Sequence, residues 1–155
     1  VLGVLLLAAG AWAVQGLVAG AHGAPAWHAA TQLDPVLAQR YEQARAAAAA
    51  DGITLEINSG LRSEAEQQAL IDEEIAKRGS PEEAHRWVAP VRVSAHVQGK
   101  ALDVGPAEGA AWLREHGPQF GLCPVFDNEP WHVEALTEPG GVCPPTLPDG
   151  SSLWD

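Results

Sequence analysis

A short apolar run that carries an acid restricts this chain more than any other feature in it. In SAHVQGKALDVG, Ser94 to Gly105, the strand-like segment ALDVG holds Asp103 between Leu102 and Val104, seven residues after His96. Strand alternation sends Asp103 to the face opposite those two neighbours. Gly99 gives the loop from His96 the freedom to turn back into the strand. A carboxylate in such surroundings is costly unless it is paired, so the fold must bring Asp103 a partner.

The elements around this segment are predicted from caps and periodicity. Asp34 caps a helix over LDPVLAQRYEQARAAAAADG, with Pro35 at its first position and Gly52 at its end. The alanines at Ala46–Ala50 read as helix propensity alone. ITLEINSG alternates Ile53, Leu55 and Ile57 with polar residues, the mark of a half-buried strand. Ser63 and Glu66 form a capping box for a helix that Gly79 closes, with Leu70, Ile71 and Ile75 as its apolar stripe. The acids Asp72–Glu74 read as its solvated face. Ser80 and Pro81 start a short helix, and PAEGAAWLREHG gives another that ends at Gly117. WHVEAL is the clearest strand of the remainder. Helices that precede and interrupt a small antiparallel sheet place the chain in the α+β class.

The first twenty residues are of another kind. VLGVLLLAAGAWAVQGLVAG is apolar over about the length that spans a bilayer, some 20 residues. Export is expected, through a cleaved signal peptide with a small-residue site at Ala19–Ala21, or through an uncleaved membrane anchor. A buried core helix is the alternative. The expected organisation is an apolar segment at 1–21, a Pro/Gly/Ala-rich tether at 22–32 and a folded domain at 33–155. A formal charge of −11 argues against nucleic acid as a partner. In an exported protein the only two cysteines, Cys123 and Cys143, read as a disulfide. Closing that loop stabilises the fold by about 3 kcal/mol through loop-closure entropy. It would enclose Glu129 and His132.

Candidate ligands for a metal gather by type: His96, Asp103, and, from NEPWHVE, Glu129, His132 and Glu134. Two imidazoles and a carboxylate with one position left for water is a catalytic zinc set. Residue types alone leave a metal site and ordinary surface histidines equally open. HExxH, SxxK and GxSxG are all absent from the chain, so the common zinc-protease helix and the usual serine acyl-transfer signatures do not apply. His85 and His116, beside acids on helices, read as surface residues, and His22 and His28 fall in the tether. Trp131 reads as a wall of the site or as core packing.

The spaced residues Ser94, His96, Gly99, Ala101 and Asp103, followed by EPWH at Glu129–His132, resemble the VanY-type zinc D-alanyl-D-alanine carboxypeptidases. That family falls in a larger fold group with the hedgehog signalling domain. SGLRSEAEQ is similar to a third block of the family and places Arg62 and Gln67, with Leu61 in place of the family's usual Tyr. Trp87–Pro90 resembles the lead-in to the histidine motif. The resemblance implies a hedgehog/DD-peptidase-like fold and one zinc ion on His96, Asp103 and His132. It implies Glu129 as catalytic base and Arg62 as the cation that steadies the oxyanion. Ser94 and Gln67 are implied contacts for substrate. The implied substrate is a peptidoglycan stem peptide that loses its terminal D-alanine, and the chain is expected to act as a monomer. An L,D-carboxypeptidase or endopeptidase on the same fold, and a non-catalytic zinc-binding interaction domain, stand as alternatives. Glu134 is read either as an acceptor for a ligand histidine or as a plain strand residue.

Overall fold

The computed structural model describes residues 33–155. The expectations for the apolar opening and the tether fall outside these residues. Among the described residues, no helix is long and apolar enough to cross a membrane.

Helix α1, Pro35–Ala50, begins where the Asp34 carboxylate accepts hydrogen bonds from Val36 and Leu37 N–H at 2.9 and 3.2 Å. Its buried side is Leu37, Tyr41, Ala44 and Ala48. Ala48, at 0% exposure, belongs to the core, so the alanine run does more than favour a helix. Small residues there let the backbone of α1 approach the sheet. Strand β1, Glu56–Ser59, is followed by α2, Glu64–Arg78, whose capping box and left-handed Gly79 terminus form as the sequence predicts. The short α3, Pro81–His85, leads to the His96 loop and to β2, Ala101–Gly105. Helix α4, Ala107–His116, then crosses to β3, Leu122–Pro124, and β4, His132–Ala135.

The four strands pair antiparallel in the order β1-β2-β4-β3. Alternation divides this small sheet into two unlike faces. Leu102, Val104, Leu122 and Val133 point to the side covered by α1 and α4, where they join Leu37, Tyr41, Leu55 and Leu113 in one buried cluster. Asp103, His132 and Glu134 point to the other side. Asp103 stands directly opposite His132 on β4 and Ser59 on β1, so three strands carry a polar row above an apolar floor.

Close approach of α4 to the residues before β1 depends on Gly109. An alanine Cβ there would lie 2.5 Å from the Thr54 carbonyl oxygen and 3.0 Å from a Leu55 methyl carbon. Alanine gains about 1 kcal/mol of helix propensity over glycine, but overpacking costs about 1–3 kcal/mol. Gly109→Ala is therefore expected to be destabilising by about 1 kcal/mol, read as a lower midpoint in urea unfolding.

A disulfide joins Cys123 on β3 to Cys143, with Cα atoms 5.6 Å apart and a sequence separation of 20. Serine at both positions is expected to lower unfolding free energy by about 3 kcal/mol. Denaturant unfolding with and without reductant reads that loss directly. The chain after Cys143 folds back as a strap that the sequence pattern does not show. Leu147 bridges Phe126, and a 3-10 turn at Gly150–Trp154 docks on α3. The Trp154 ring stacks on His85 at 3.7 Å, and its indole N–H donates to the Val88 carbonyl at 2.9 Å. His85 is thus half-buried under an aromatic ring rather than a free surface residue. His116 is likewise half-buried, against Trp112 at 4.6 Å.

Candidate metal centre and cleft

Two neighbouring strands and one loop deliver the central residues. Asp103 and His132 face each other across the β2–β4 ladder, and the His96 loop arches over them. That loop is pinned at both ends: the Arg62 N–H donates to the His96 carbonyl at 3.1 Å, and Gly99, at φ +68°, turns the chain into β2. The three candidate ligand atoms form a near-equilateral triangle. His96 Nε2 lies 3.2 Å from His132 Nδ1 and 3.2 Å from Asp103 Oδ1, and His132 Nδ1 lies 3.3 Å from the same oxygen. A tetrahedral zinc with arms of about 2.0–2.1 Å would hold its ligand atoms about 3.3–3.4 Å apart.

Each ring is turned so that its other nitrogen is already engaged. His96 Nδ1 donates to the Gly60 carbonyl at 2.8 Å, and His132 Nε2 donates to Glu134 Oε1 at 3.1 Å. With those protons placed outward, both imidazoles point a lone pair at the centre, where Asp103 Oδ1 is buried without a hydrogen-bond partner. Three acceptors facing one another are repulsive unless a cation sits between them. The donor set, its triangle and its orphaned oxygen therefore fit a metal ion.

Electrostatics tell the same story in terms of protons. Burial disfavours the charge on His132, yet its contacts with Asp103 and Glu134 outweigh burial and raise it to about 9. Burial likewise pushes Asp103 up, but His132 and His96 hold it well below the usual carboxylate range. A metal entering this centre competes with a tightly held proton.

Asp103's second oxygen, Oδ2, accepts from Arg62 Nη2 at 2.7 Å. The guanidinium also donates through Nε to Ser59 Oγ at 3.0 Å and through Nη1 to Gln67 Oε1 at 3.3 Å. Gln67 is anchored in turn, its amide donating to the Ala89 carbonyl at 2.8 Å. Gln67 and Ser94 border the cleft, but each is only 1% exposed. Gln67's amide is spent on Arg62 and Ala89, and Ser94 Oγ accepts the Val97 N–H at 3.4 Å. Both are held from beneath the surface at the border of the cleft. Arg62 has two N–H groups beyond these three bonds.

Glu129 lies on the turn before β4, its Oε2 3.9 Å from His132 Nδ1. Burial pushes its carboxyl up to about 7; His132 and Arg62 oppose that rise, and the Asp103 charge adds to it. The turn is gripped from outside. The Asp127 N–H donates to the Leu147 carbonyl, the Leu147 N–H to the Val125 carbonyl, and the Asn128 amide to the Arg86 carbonyl, each at 2.8 Å.

The centre opens into a cavity of about 600 Å³. Trp87 and Val88 form one wall, and Leu147 and Leu153 of the strap another. Trp131, 39% exposed, is cleft wall rather than core. Glu74 corrects the reading of Asp72–Glu74 as a solvated face: it borders the cavity and pairs with both Lys77 and Arg78. Nothing in the sequence pattern marks the strap, Ser59's bond to Arg62, or Glu134's bond to His132 over the plain-strand alternative.

A family profile described as VanY, D-alanyl-D-alanine carboxypeptidase, matches residues 30–137. The D-alanyl-D-alanine carboxypeptidase of Enterococcus faecalis is 30% identical, over 69% of this chain and 50% of that protein, so the chain spans about half the length of that relative. A variant of the vancomycin-resistance D,D-pentapeptidase VanY, solved in complex with Zn(II), is similar at 28% identity and a TM-score of 0.62, over 66% of this chain and 71% of that one. VanYB in complex with D-alanine-D-alanine is similar at 26% identity and a TM-score of 0.64, over 68% and 72%. The L,D-carboxypeptidase LdcB shares the fold at 22% identity and a TM-score of 0.57, over 66% and 58%.

Proposed function

Because this chain belongs to the VanY family of D-alanyl-D-alanine carboxypeptidases, we propose that it is an exported, zinc-dependent peptidase that releases the terminal D-alanine from peptidoglycan stem peptides. The observation that carries this reading is the triangle of facing ligand atoms on His96, Asp103 and His132, with Glu129 beside it. Export is supported by the apolar opening of the chain, and the substrate by the VanY relatives.

His96, Asp103 and His132 would hold one zinc ion. When bound, zinc supplies a Lewis acid for the scissile carbonyl and lowers the pKa of water. Glu129, shielded from solvent and pushed toward neutrality, takes the proton of the attacking water on a carboxylate oxygen. It then delivers that proton to the nitrogen of the departing residue. Arg62, held by Ser59, Gln67 and Asp103, keeps its two free N–H groups for the oxygen on which charge develops. Glu134 fixes the tautomer of His132. Glu134→Ala is expected to weaken zinc binding by 10–100-fold, measured by competition with a chromophoric chelator, with Glu134→Gln retaining more of the affinity.

The deciding experiment incubates the full chain, with zinc or with chelator, with a pentapeptide stem ending in D-Ala-D-Ala and follows products by mass. Loss of a single alanine, only with zinc, is expected. Cleavage that requires a stem already shortened to end in one D-alanine would replace this reading with the L,D-carboxypeptidase. One equivalent of zinc bound without hydrolysis of any stem peptide would replace it with the binding domain.

A further inference from the structure

Among the described residues, one cation in this cleft has no partner. The chain holds nine Lys and Arg against twenty Asp and Glu, and acids therefore outnumber the cations available to pair with them. Seven of the nine, Arg40, Arg45, Arg62, Lys77, Arg78, Arg86 and Arg114, form ion pairs with carboxylates. Arg92 reaches the Asp155 main-chain oxygen at 3.5 Å. Lys100 alone has no ion pair or side-chain hydrogen bond among the described residues. An ammonium left bare among so many acids is unusual enough to ask what it faces.

Its place answers the question. Lys100 stands where the His96 loop enters β2, its backbone fixed by the bond of its N–H to the Ala95 carbonyl at 2.8 Å. It borders the main cavity and also a second depression of about 530 Å³ between the start of α1 and the end of β4. Glu134 and Leu136 border both hollows as well. Glu134 is the acid on that shared rim, and its bond is to His132 and not to Lys100. Lys77, the chain's only other lysine, lines the main cavity too; it shares Glu74 with Arg78, which leaves that trio one positive charge in excess. Both lysines of an acidic chain therefore face one cleft. A substrate bearing carboxylates is repelled by a body of charge −11, and cations confined to the cleft would offset that repulsion where the peptide docks.

We propose that Lys100 is a specificity-determining residue that binds a carboxylate of the peptide at the rim where the two hollows meet. This rests on the reading of the cleft as a peptidase site. The carboxylate is either the terminal one or that of an acidic side chain; the ammonium recognises both by the same chemistry, and the experiment separates them.

The test uses the zinc-loaded full chain and three peptides of one sequence ending in D-Ala-D-Ala. One carries an acidic side chain and a free terminus, one has that side chain amidated, and one has the terminus amidated. Calorimetric affinity and, separately, KM and kcat are measured for the parent and for Lys100→Ala, Lys100→Glu and Lys100→Arg. An exposed pair gives a modest effect: Lys100→Ala is expected to weaken binding and raise KM about two- to fivefold, Lys100→Glu about tenfold, with kcat held and Lys100→Arg close to the parent. The penalty disappears for whichever amidated peptide lacks the carboxylate that Lys100 reads, and fades as salt rises. Equal penalties on all three peptides, or none on any, would overturn the proposal. Cleavage by a parent that does not distinguish acid from amide sinks Lys100 alone. Preference for the acid peptide without cleavage sinks the peptidase reading and keeps Lys100. A parent that binds none of the three overturns both.

Discussion

Glu129→Gln is expected to cut turnover of a D-Ala-D-Ala peptide by about 10²–10⁴-fold, with one zinc still bound. The glutamine keeps the size of the side chain on its turn but cannot take a proton from water. Because Glu129 stands 3.9 Å from His132 Nδ1 rather than within the triangle, its loss leaves the three candidate ligands and their outward bonds to Gly60 and Glu134 in place. Metal content and catalysis should therefore separate. If zinc were lost along with activity, Glu129 would belong to the ligand set and the base would have to be sought elsewhere. If the variant turned over at the parent's rate, no proton would pass through this carboxyl.

Asp103→Ala is the second large effect, and it should appear even with no metal in solution. The substitution removes one of the three candidate ligands, so zinc affinity should fall by more than the 10–100-fold typical of losing an outer partner. It also strips Arg62 of its carboxylate. The two side chains are 20% and 13% exposed and meet at 2.7 Å. Breaking a pair so shielded by removing one member costs about 3–5 kcal/mol, although Ser59 and Gln67 still hold the guanidinium. In chelator, where zinc cannot contribute, the variant should melt about 10 °C below the parent. His132→Ala should lose zinc as completely but leave the Arg62–Asp103 pair intact. A smaller drop in melting temperature for His132→Ala than for Asp103→Ala is the diagnostic comparison; equal drops would mean that Arg62 does not depend on Asp103.

The sequence reveals local instructions far better than meetings between distant segments. Ser63 and Glu66 lie three residues apart and satisfy each other's backbone, so the start of α2 can be read directly. Asp103 between two core residues announces a need for a partner, and the spaced motifs implied His96 and His132. What stays illegible depends on pairing across the sheet. Glu134 accepts from His132 because both point to the same side of β4, a relation that alternation permits but does not select. Gln67 matched a motif, but its role turns on Ala89, twenty-two residues away in sequence. Glu74 looked solvated because its neighbours are charged, and those same charges, Lys77 and Arg78, draw it into the cleft wall. Leu153 and Trp154 sit in a turn of five residues, too short to show any period.

The strap after Cys143 also sets an order in time. Synthesis runs from α1 toward Trp154, so the sheet, the triangle and the turn bearing Glu129 are all made before the residues that complete their enclosure. Until residue 154 has emerged, the cleft lacks the wall of Leu147 and Leu153, and the His85 ring lacks its indole cover. The turn at Val125–Asp127 lacks both backbone bonds to Leu147 and the Thr146 hydroxyl bond to Asp127. A growing chain thus carries its candidate chemistry before it gains its finished cleft.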